Sequence, residues 1–526
     1  MIVVLGSTEP ELDAHRRLVS DVLHGNGGED AVRIATPAPD ATQRRAVIDG
    51  ADLMICIVGT SIGPELPDGS GYAEAEAATA RQLGVHVLAY SYEDGTEAMP
   101  PPAEPLRGYS VARARRFRNW LREHYGMRRF ATPEELVAGV REDLDALRTE
   151  RELAGPSLVQ RIHTRLGARS TSLDAFAMTL HNMDAIYRVE QIAPYREERV
   201  DAPRRSPGGG GANIIYTLAC LGVRTAIAGV VGDDADGTAV RSNLADAGVD
   251  TDLLVPVERA QTGRAIILVD ARGRRAIFTE SGANARLAAE VAERGLTRAL
   301  QQGASSAKVV LLTSFRDQPE RELQEDLLER LPADTVVAYT PGSLYLSPGA
   351  TRLRSVIART NVVFLSEEAL GRLLDELIPH LTDQSATVPQ KAHSLIQWRY
   401  DLGSRTPLMI VVRRQWRGYD ARDGFRHISI MWGQKGYEGG AGTDGRLGSE
   451  DADTIVDGTG TGGALAGGVL YGLLRSRPPQ DCANLGYVLA MSAATRYGSR
   501  DGIPARNELP RQWCHWLKVD AAPSWL

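Results

Sequence analysis

Two glycine-rich runs, each leading straight into an apolar helical pattern, carry the clearest chemistry of the chain. The first is Pro207-Gly208-Gly209-Gly210-Gly211-Ala212-Asn213, ahead of Ile214 to Leu221. The second is Asp457-Gly458-Thr459-Gly460-Thr461-Gly462-Gly463, ahead of Ala464 to Leu474. Backbone without Cβ atoms lets a ligand approach closely, and a helix start supplies unpaired N–H donors. One such run alone is more often a flexible turn. Here Val231-Gly232-Asp233-Asp234-Ala235-Asp236-Gly237 and the LADAGVDT of Leu244 to Thr251 accompany them in order. His86 and His181 stand alone, without a second histidine at ligand spacing, so no metal is expected. Cys56, Cys220, Cys482 and Cys514 form no C-x-x-C pair and read as reduced thiols of a cytoplasmic protein.

These residues need elements to hold them. With 526 residues the chain suits two or three domains. Its 43% hydrophobic and 24% charged content is that of a soluble globular protein. A net charge of -7 gives no general electrostatic reason to bind nucleic acid or an anionic membrane, and the basic run Arg113 to Arg118 reads as a solvated helix face. The longest late apolar stretch, Gly462 to Leu474, is too short and glycine-rich to span a bilayer.

Over residues 1–147, strand patterns at Ile2 to Leu5, Leu53 to Val58 and Val85 to Tyr90 alternate with helical ones at Glu9 to Leu23 and Ala73 to Leu83, predicting a parallel sheet. Helical patterns at Val111 to His124 and Pro133 to Leu147 complete this unit, and a charged helical linker over 148–169 follows. Residues 170–526 read as one large α/β domain opening with a strand at Ala175 to Leu180. The polar helical stretch Leu370 to Arg405 reads as an insertion or an elaborated connection.

The order and spacing of the motifs resemble the PfkB or ribokinase family of carbohydrate and nucleoside kinases over about residues 170 to 505. The resemblance implies a ribokinase-like α/β fold with a small β lid. Gly208, Gly209, Ala212 and Asn213, with Leu221-Gly222 at the helix end, fit the family's G-G-x-x-A-N motif, and Asn213 would bind substrate hydroxyls. Asn182-Met183-Asp184 fits its Asn-x-Asp, in which Asp184 would hold two sugar hydroxyls as a strong acceptor. Apart from the resemblance, Asp184 reads as a turn or cap residue.

The family's anion hole has the form D-T-x-G-A-G-D and ends in the general base. This chain keeps Asp457, Thr459, Gly460 and Gly462 but has Gly463 in place of the base. Gly460, Thr461, Gly462 and Gly463 can still offer backbone N–H groups at a helix start. Loss of the base implies a rate lower by about 10²- to 10⁴-fold, and activity created in an inactive protein by an aspartate at 463 would support a pseudokinase. The family's Asn-x-x-Glu aligns with Ser366-Glu367-Glu368-Ala369, and its Thr-x-Gly-x-x-Gly with Arg413-Arg414-Gln415-Trp416-Arg417-Gly418. Sugar-side residues are thus kept while those for ATP and Mg²⁺ are altered, which implies a weakened nucleotide site.

In the first unit, Val4-Leu5-Gly6-Ser7-Thr8, the strand ending Val58-Gly59 and the helix Tyr72-Ala73-Glu74-Ala75-Glu76 resemble a TIR-like, flavodoxin-like domain with deoxyribosyltransferase-like relatives. The resemblance implies that Glu74 or Glu76 stabilises or attacks a ribosyl centre while an N-glycosidic bond is cleaved, with NAD as a candidate substrate. Both glutamates read equally well as solvated or capping groups, and Ser7 and Thr8 read as caps.

The resulting expectation is a cytoplasmic, ligand-controlled protein. A weakened kinase-like domain would bind a sugar, nucleoside or nucleotide, and the TIR-like domain would act or signal, by analogy in defence or stress. The alternatives are an active ATP-dependent kinase with a substitute base such as Asp457, and a non-catalytic scaffold. No membrane or nucleic-acid partner is expected, and a homo-oligomer is compatible with the sequence.

Overall fold

Apolar strands separated by amphipathic helices build the first of two compact units, residues 1–157. The structure, a computed structural model, describes the chain except residues 1, 7–11, 26–30, 35–42, 44–46, 49–50, 52, 60–65, 67–69, 83–84, 93–110, 126, 155–157, 169–170, 196, 272–274, 343–352, 379–385, 405, 416–424, 434–436 and 445–453. In chain order the first unit runs β1 (Ile2–Leu5), α1 (Asp13–Gly25), β2 (Ala31–Ile34), β3 (Leu53–Val58), α2 (Tyr72–Gln82), β4 (His86–Tyr92), α3 (Val111–Tyr125), β5 (Arg128–Phe130) and α4 (Pro133–Ala154). The strands form a parallel sheet in the order β2-β1-β3-β4-β5. All six residues of β3 are buried, as a strand covered on both faces requires.

The second unit, Leu158–Leu526, opens with α5 (Leu158–Ala168). The sequence assigned this stretch to a linker, yet Ile162 and Leu166 enter the second unit's core, and α4 continues to Ala154. There follow β6 (Leu173–Met178), β7 (Asn182–Val189), β8 (Arg204–Gly208), α6 (Gly210–Cys220), β9 (Thr225–Gly232), α7 (Ala235–Asp246), β10 (Asp250–Val257), β11 (Gly263–Asp270) and β12 (Arg275–Glu280). Next come α8 (Leu287–Glu293), α9 (Thr297–Ser305), β13 (Ala307–Thr313), α10 (Gln318–Arg330), β14 (Val336–Thr340), α11 (Arg354–Arg359), β15 (Val362–Ser366), α12 (Glu367–Leu377) and α13 (Val388–Asp401). The unit closes with β16 (Leu408–Gln415), β17 (Phe425–Gly433), β18 (Tyr437–Asp444), α14 (Thr461–Leu474), α15 (Pro479–Ala494) and α16 (Leu509–Leu517).

A nine-stranded sheet in the order β10-β9-β6-β13-β14-β15-β16-β17-β18 forms its centre, parallel as far as β16 and antiparallel beyond. A separate four-stranded sheet has the order β12-β11-β7-β8. The stretch read as an insertion or an elaborated connection is the crossover that connects β15 to β16. Its helices α12 and α13 bury Leu370, Leu373, Ala392, Leu395 and Ile396 against the large sheet. Arg399, on α13, is 2% exposed and donates to the carbonyls of Ile357, Ala358, Thr360 and Thr406, satisfying the C-terminal end of α11.

Against α6 lies α14, with almost no side chains between them. A Cβ on Gly467 would sit 2.6 Å from Thr217 Cγ2, and one on Gly468, on the other side of α14, 2.6 Å from the Leu485 carbonyl of α15. Among the described residues no helix is long and apolar enough to cross a membrane.

Candidate functional site

Both glycine-rich runs become helix starts. Gly209 precedes α6 with φ +107° and Gly460 precedes α14 with φ +80°, backbone that residues with a Cβ adopt only under strain. The two helices cross so that Gly463 abuts Asn213, while β7 and β8 bring Asp184 against Gly208. Asp184, Gly208, Gly209, Asn213 and the first turn of α14, Gly460 to Gly463, therefore share one corner of the second unit. In the structure β6 ends at Met178, and Asp184 is the third residue of the next strand, β7, in the small sheet.

The Asp184 carboxyl is 6% exposed and lies so close to Gly208 that a Cβ there would overlap both its oxygens. Burial pushes its pKa up to about 7; the Arg500 charge opposes the shift and Asp457 reinforces it. Near neutral pH it is thus poised between an acceptor-only carboxylate and a carboxyl that can also donate.

Arg500 is a residue the sequence reading missed. It lies in the segment after α15, carries no motif signal, and is 287 positions from Asn213. Its Nε donates to Asn213 Oδ1 at 2.9 Å, Nη1 to Asn243 Oδ1 at 2.6 Å and Nη2 to the Gly208 carbonyl at 3.2 Å, while its guanidinium stacks 5.2 Å over the Tyr216 ring. With the Asn213 oxygen engaged, the amide presents its N–H₂ donors elsewhere. The segment is pinned by Ser499 Oγ donating to the Pro207 carbonyl at 2.8 Å, by Arg204 paired with Asp501 at 2.6 Å, and by Tyr497 under Arg188, 4.2 Å from the ring centroid.

Asp457 anchors the turn ahead of α14. Its Oδ1 accepts from Thr459 N at 2.8 Å and Thr459 Oγ1 at 2.7 Å, and its Oδ2 from Gly498 N at 3.1 Å. Two arginines flank the turn. The Arg275 guanidinium carbon is 3.6 Å from where a Cβ on Gly458 would stand, and Arg413 Nη1 is 2.9 Å from the same point on Gly462. The sequence registered position 413 only as a lost nucleotide motif. Its side chain is a guanidinium at the helix start.

Position 463 has no carboxylate and no space for one. A Cβ there would lie 2.8 Å from Asn213 Cβ, well inside van der Waals contact. An aspartate at 463 therefore needs α6 and α14 to shift apart. Ser366 caps α12, its Oγ accepting from Ala369 N at 3.0 Å, and Glu368 pairs with Arg372 on the surface. The cap is thus Ser366, and of the two carboxylates beside it Glu368 is held in an ion pair. Residues Trp416, Arg417 and Gly418 of the second altered motif lie outside the described residues.

His181, fully buried between β6 and β7, is held neutral by desolvation, which takes its pKa down to about 3. Its backbone exchanges two hydrogen bonds with the Asn284 amide, whose Nδ2 also donates to Asn182 Oδ1 at 3.1 Å.

Residues 172–399 match the pfkB family carbohydrate kinase, and this stretch contains Asp184, Gly208, Gly209 and Asn213. The second unit carries a pfkB-family carbohydrate kinase domain. Among curated relatives, an uncharacterised sugar kinase of Archaeoglobus fulgidus is 23% identical over 55% of this chain and 98% of its own length. An ATP-dependent ribose-1-phosphate kinase of Halopiger xanaduensis is 30% identical over 37% of this chain and 62% of its own. The solved ribokinase of Giardia lamblia superposes with a TM-score of 0.52 at 17% identity, covering 64% of this chain and 99% of that one, and shares the fold of the kinase domain.

Residues 3–145 match a domain of unknown function, DUF4062. In that unit Glu74 and Glu76 part company. Glu74 is half-buried and accepts from Gly71 N at 3.3 Å, a cap at the start of α2. Glu76 is 1% exposed, and its Oε2 lies 3.4 Å from where a Cβ on Gly6 would stand, at the carboxyl end of β1. Ser7 and Thr8 lie outside the described residues.

Proposed function

We propose that the kinase domain binds a sugar or nucleoside between Asp184, Gly208 and Asn213, and that its phosphoryl-transfer half is rebuilt so that ordinary turnover is lost. One observation carries this reading: Asp184 and Asn213 converge in a buried polar corner, while position 463 offers neither a base nor room for one. Asp184 accepts ligand hydroxyls, and Asn213, oriented by Arg500, donates to ring or hydroxyl oxygens. Isothermal calorimetry of the full chain with pentoses and nucleosides tests it. The reading requires binding that Asp184→Ala and Asn213→Ala each weaken by about tenfold or more. Absence of binding, or affinity unchanged in both variants, removes it.

The names of the relatives favour a second reading, an ATP-dependent sugar or nucleoside kinase with a substitute base. The first turn of α14 fits a nucleotide phosphate. Asp457 fits the role of base poorly, because three hydrogen bonds already occupy its carboxylate. Transfer of label from ATP to a pentose or nucleoside, abolished by Asp457→Asn, would establish this reading in place of the first.

For the first unit the corresponding proposal is a TIR-like, N-glycosidic activity on NAD or a nucleotide at Glu76. It is supported by a buried carboxylate at the carboxyl end of a parallel sheet, where ligands of such sheets bind. Nicotinamide release from NAD that survives Glu76→Gln would remove it.

A further inference from the structure

The two side chains of the sugar corner are carried by different layers. Asn213 stands on α6, which packs on the large sheet, whereas Asp184 stands on β7 of the small one. The chain crosses from β6 to β7 through Thr179, Leu180 and His181, so whatever fixes this crossing also sets where Asp184 stands, three residues beyond His181. Bare backbone encloses the crossing. A Cβ on Gly211 would overlap Thr179 Oγ1, one on Gly209 would overlap the Leu180 carbonyl oxygen, and one on Gly229 would lie 2.5 Å from the His181 ring.

His181 stands between strands, and its buried N–H and C=O need partners. One side chain supplies both. Asn284 Oδ1 accepts from His181 N at 2.9 Å, and Nδ2 donates to the His181 carbonyl at 2.9 Å and to Asn182 Oδ1 at 3.1 Å. Asn284 is buried and follows β12 closely, so it ties the point where the chain enters the small sheet to the point where it leaves. Both hydrogens of its amide are spent on the protein, which leaves none for a ligand. Asn182 and Asp184 project from the same face of β7, so the amide holds the neighbour of Asp184 on that face as well as the backbone before it. The space is cut for a carboxamide of this size. A Cβ on Gly263, the partner of Asn182 on β11, would overlap Asn284 Nδ2. An aspartate there would turn an acceptor onto the His181 carbonyl and Asn182 Oδ1.

We propose that Asn284 is a positioning residue of the sugar corner, which sets the entry of β7 and thereby the place of Asp184 opposite Asn213. This rests on the sugar-binding reading above and adds a residue that acts through Asp184 without touching the ligand.

The test is a double-mutant cycle read by calorimetry of the full chain with D-ribose and adenosine. Asn284→Ala should weaken the tighter-binding of the two by about tenfold or more, and by less than about twofold once Asp184 is alanine, because nothing is then left to position. Where Asp184→Ala binds too weakly to titrate, the pH profile decides: the rise in affinity between pH 5 and 7 that follows Asp184 ionisation should flatten in Asn284→Ala. Asn284→Asp, which keeps the size and the bond from His181 N, should lose as much and serves if the alanine variant unfolds. Affinity and pH profile unchanged in both variants, as a purely structural role would leave them, overturn the proposal, and so do losses that add in full to that of Asp184→Ala. If the wild type binds neither ligand, or binds without dependence on Asp184, the sugar reading falls and this inference with it. If it binds through Asp184 and the Asn284 variants bind equally well, the inference falls alone.

Discussion

Replacing Gly463 by aspartate supplies the carboxylate that a kinase of this fold would use, and the structure expects it to harm the protein. The new Cβ would stand 2.8 Å from Asn213 Cβ, 3.5 Å from the Asn213 carbonyl carbon and 3.6 Å from the Gly210 carbonyl oxygen. Carbon atoms in contact rest at about 3.5 to 4 Å, so α6 and α14 must separate by roughly 1 Å. Overpacking of this kind costs about 1 to 3 kcal/mol. Aspartate in place of glycine near a helix start returns on the order of 0.3 to 1 kcal/mol, through the dipole and the lower backbone entropy loss. Burying another carboxylate near Asp184, already pushed up to about 7, takes that gain back.

The net expectation is a loss of roughly 1 to 3 kcal/mol in urea unfolding, weaker pentose binding because Asn213 is pressed against Arg500, and no ATP-dependent transfer. Gly463→Ala isolates the steric part and should lose a similar amount. A Gly463→Asp protein as stable as the wild type that transfers phosphate from ATP would refute the argument. It would mean that the two helices have room and that only the base was missing.

Other expectations follow from the same corner and its supports. Asp184 has a folded pKa raised above its ordinary value, so its contribution to stability is fully present below about pH 3.8 and is lost as the pH rises through about 7. Hydroxyl binding to the carboxylate runs the opposite way: pentose affinity by calorimetry should rise between pH 5 and 7, and should be flat in Asp184→Asn. Gly208→Ala drives a methyl into the Asp184 carboxylate and should weaken pentose binding by roughly tenfold or more, read in the same titration. Arg399→Met leaves four carbonyls around the end of α11 without their donor and should cost about 2 to 4 kcal/mol in urea unfolding.

The motifs disclosed in sequence the residues whose role is set by backbone. Gly208, Gly209, Gly460 and Asn213 stand at helix starts because glycine admits the φ values and close approaches found there, and a local string is enough to signal it. Gly463 was legible as a missing carboxylate but not as a filled space, because the atom that fills it belongs to Asn213, 250 positions earlier. Arg500 was illegible for the same reason: its three acceptors, on Gly208, Asn213 and Asn243, meet it only after β8, α6 and α7 have folded around it. The polar stretch from Leu370 to Arg405 could be read as an insertion or a connection because its outer face is solvated, and it proves a connection whose Leu370, Leu373, Ala392, Leu395 and Ile396 are buried at helical spacing. The division at residue 147 followed composition, whereas helix α4 continues without interruption to Ala154.

Helix α14 contains five glycines among its 14 residues, at 462, 463, 467, 468 and 472. Each lowers intrinsic helicity by about 1 kcal/mol relative to alanine, so this segment would not hold a helix by itself in water. It is helical only while its bare faces are pressed against α6 and α15. The N–H groups that would greet an anion therefore exist as an array only in the assembled core, and a ligand grasping them also clasps the helices together. Occupancy should be legible as heat resistance: a bound anion would raise the melting temperature of the entire second unit as its concentration climbs past the dissociation constant.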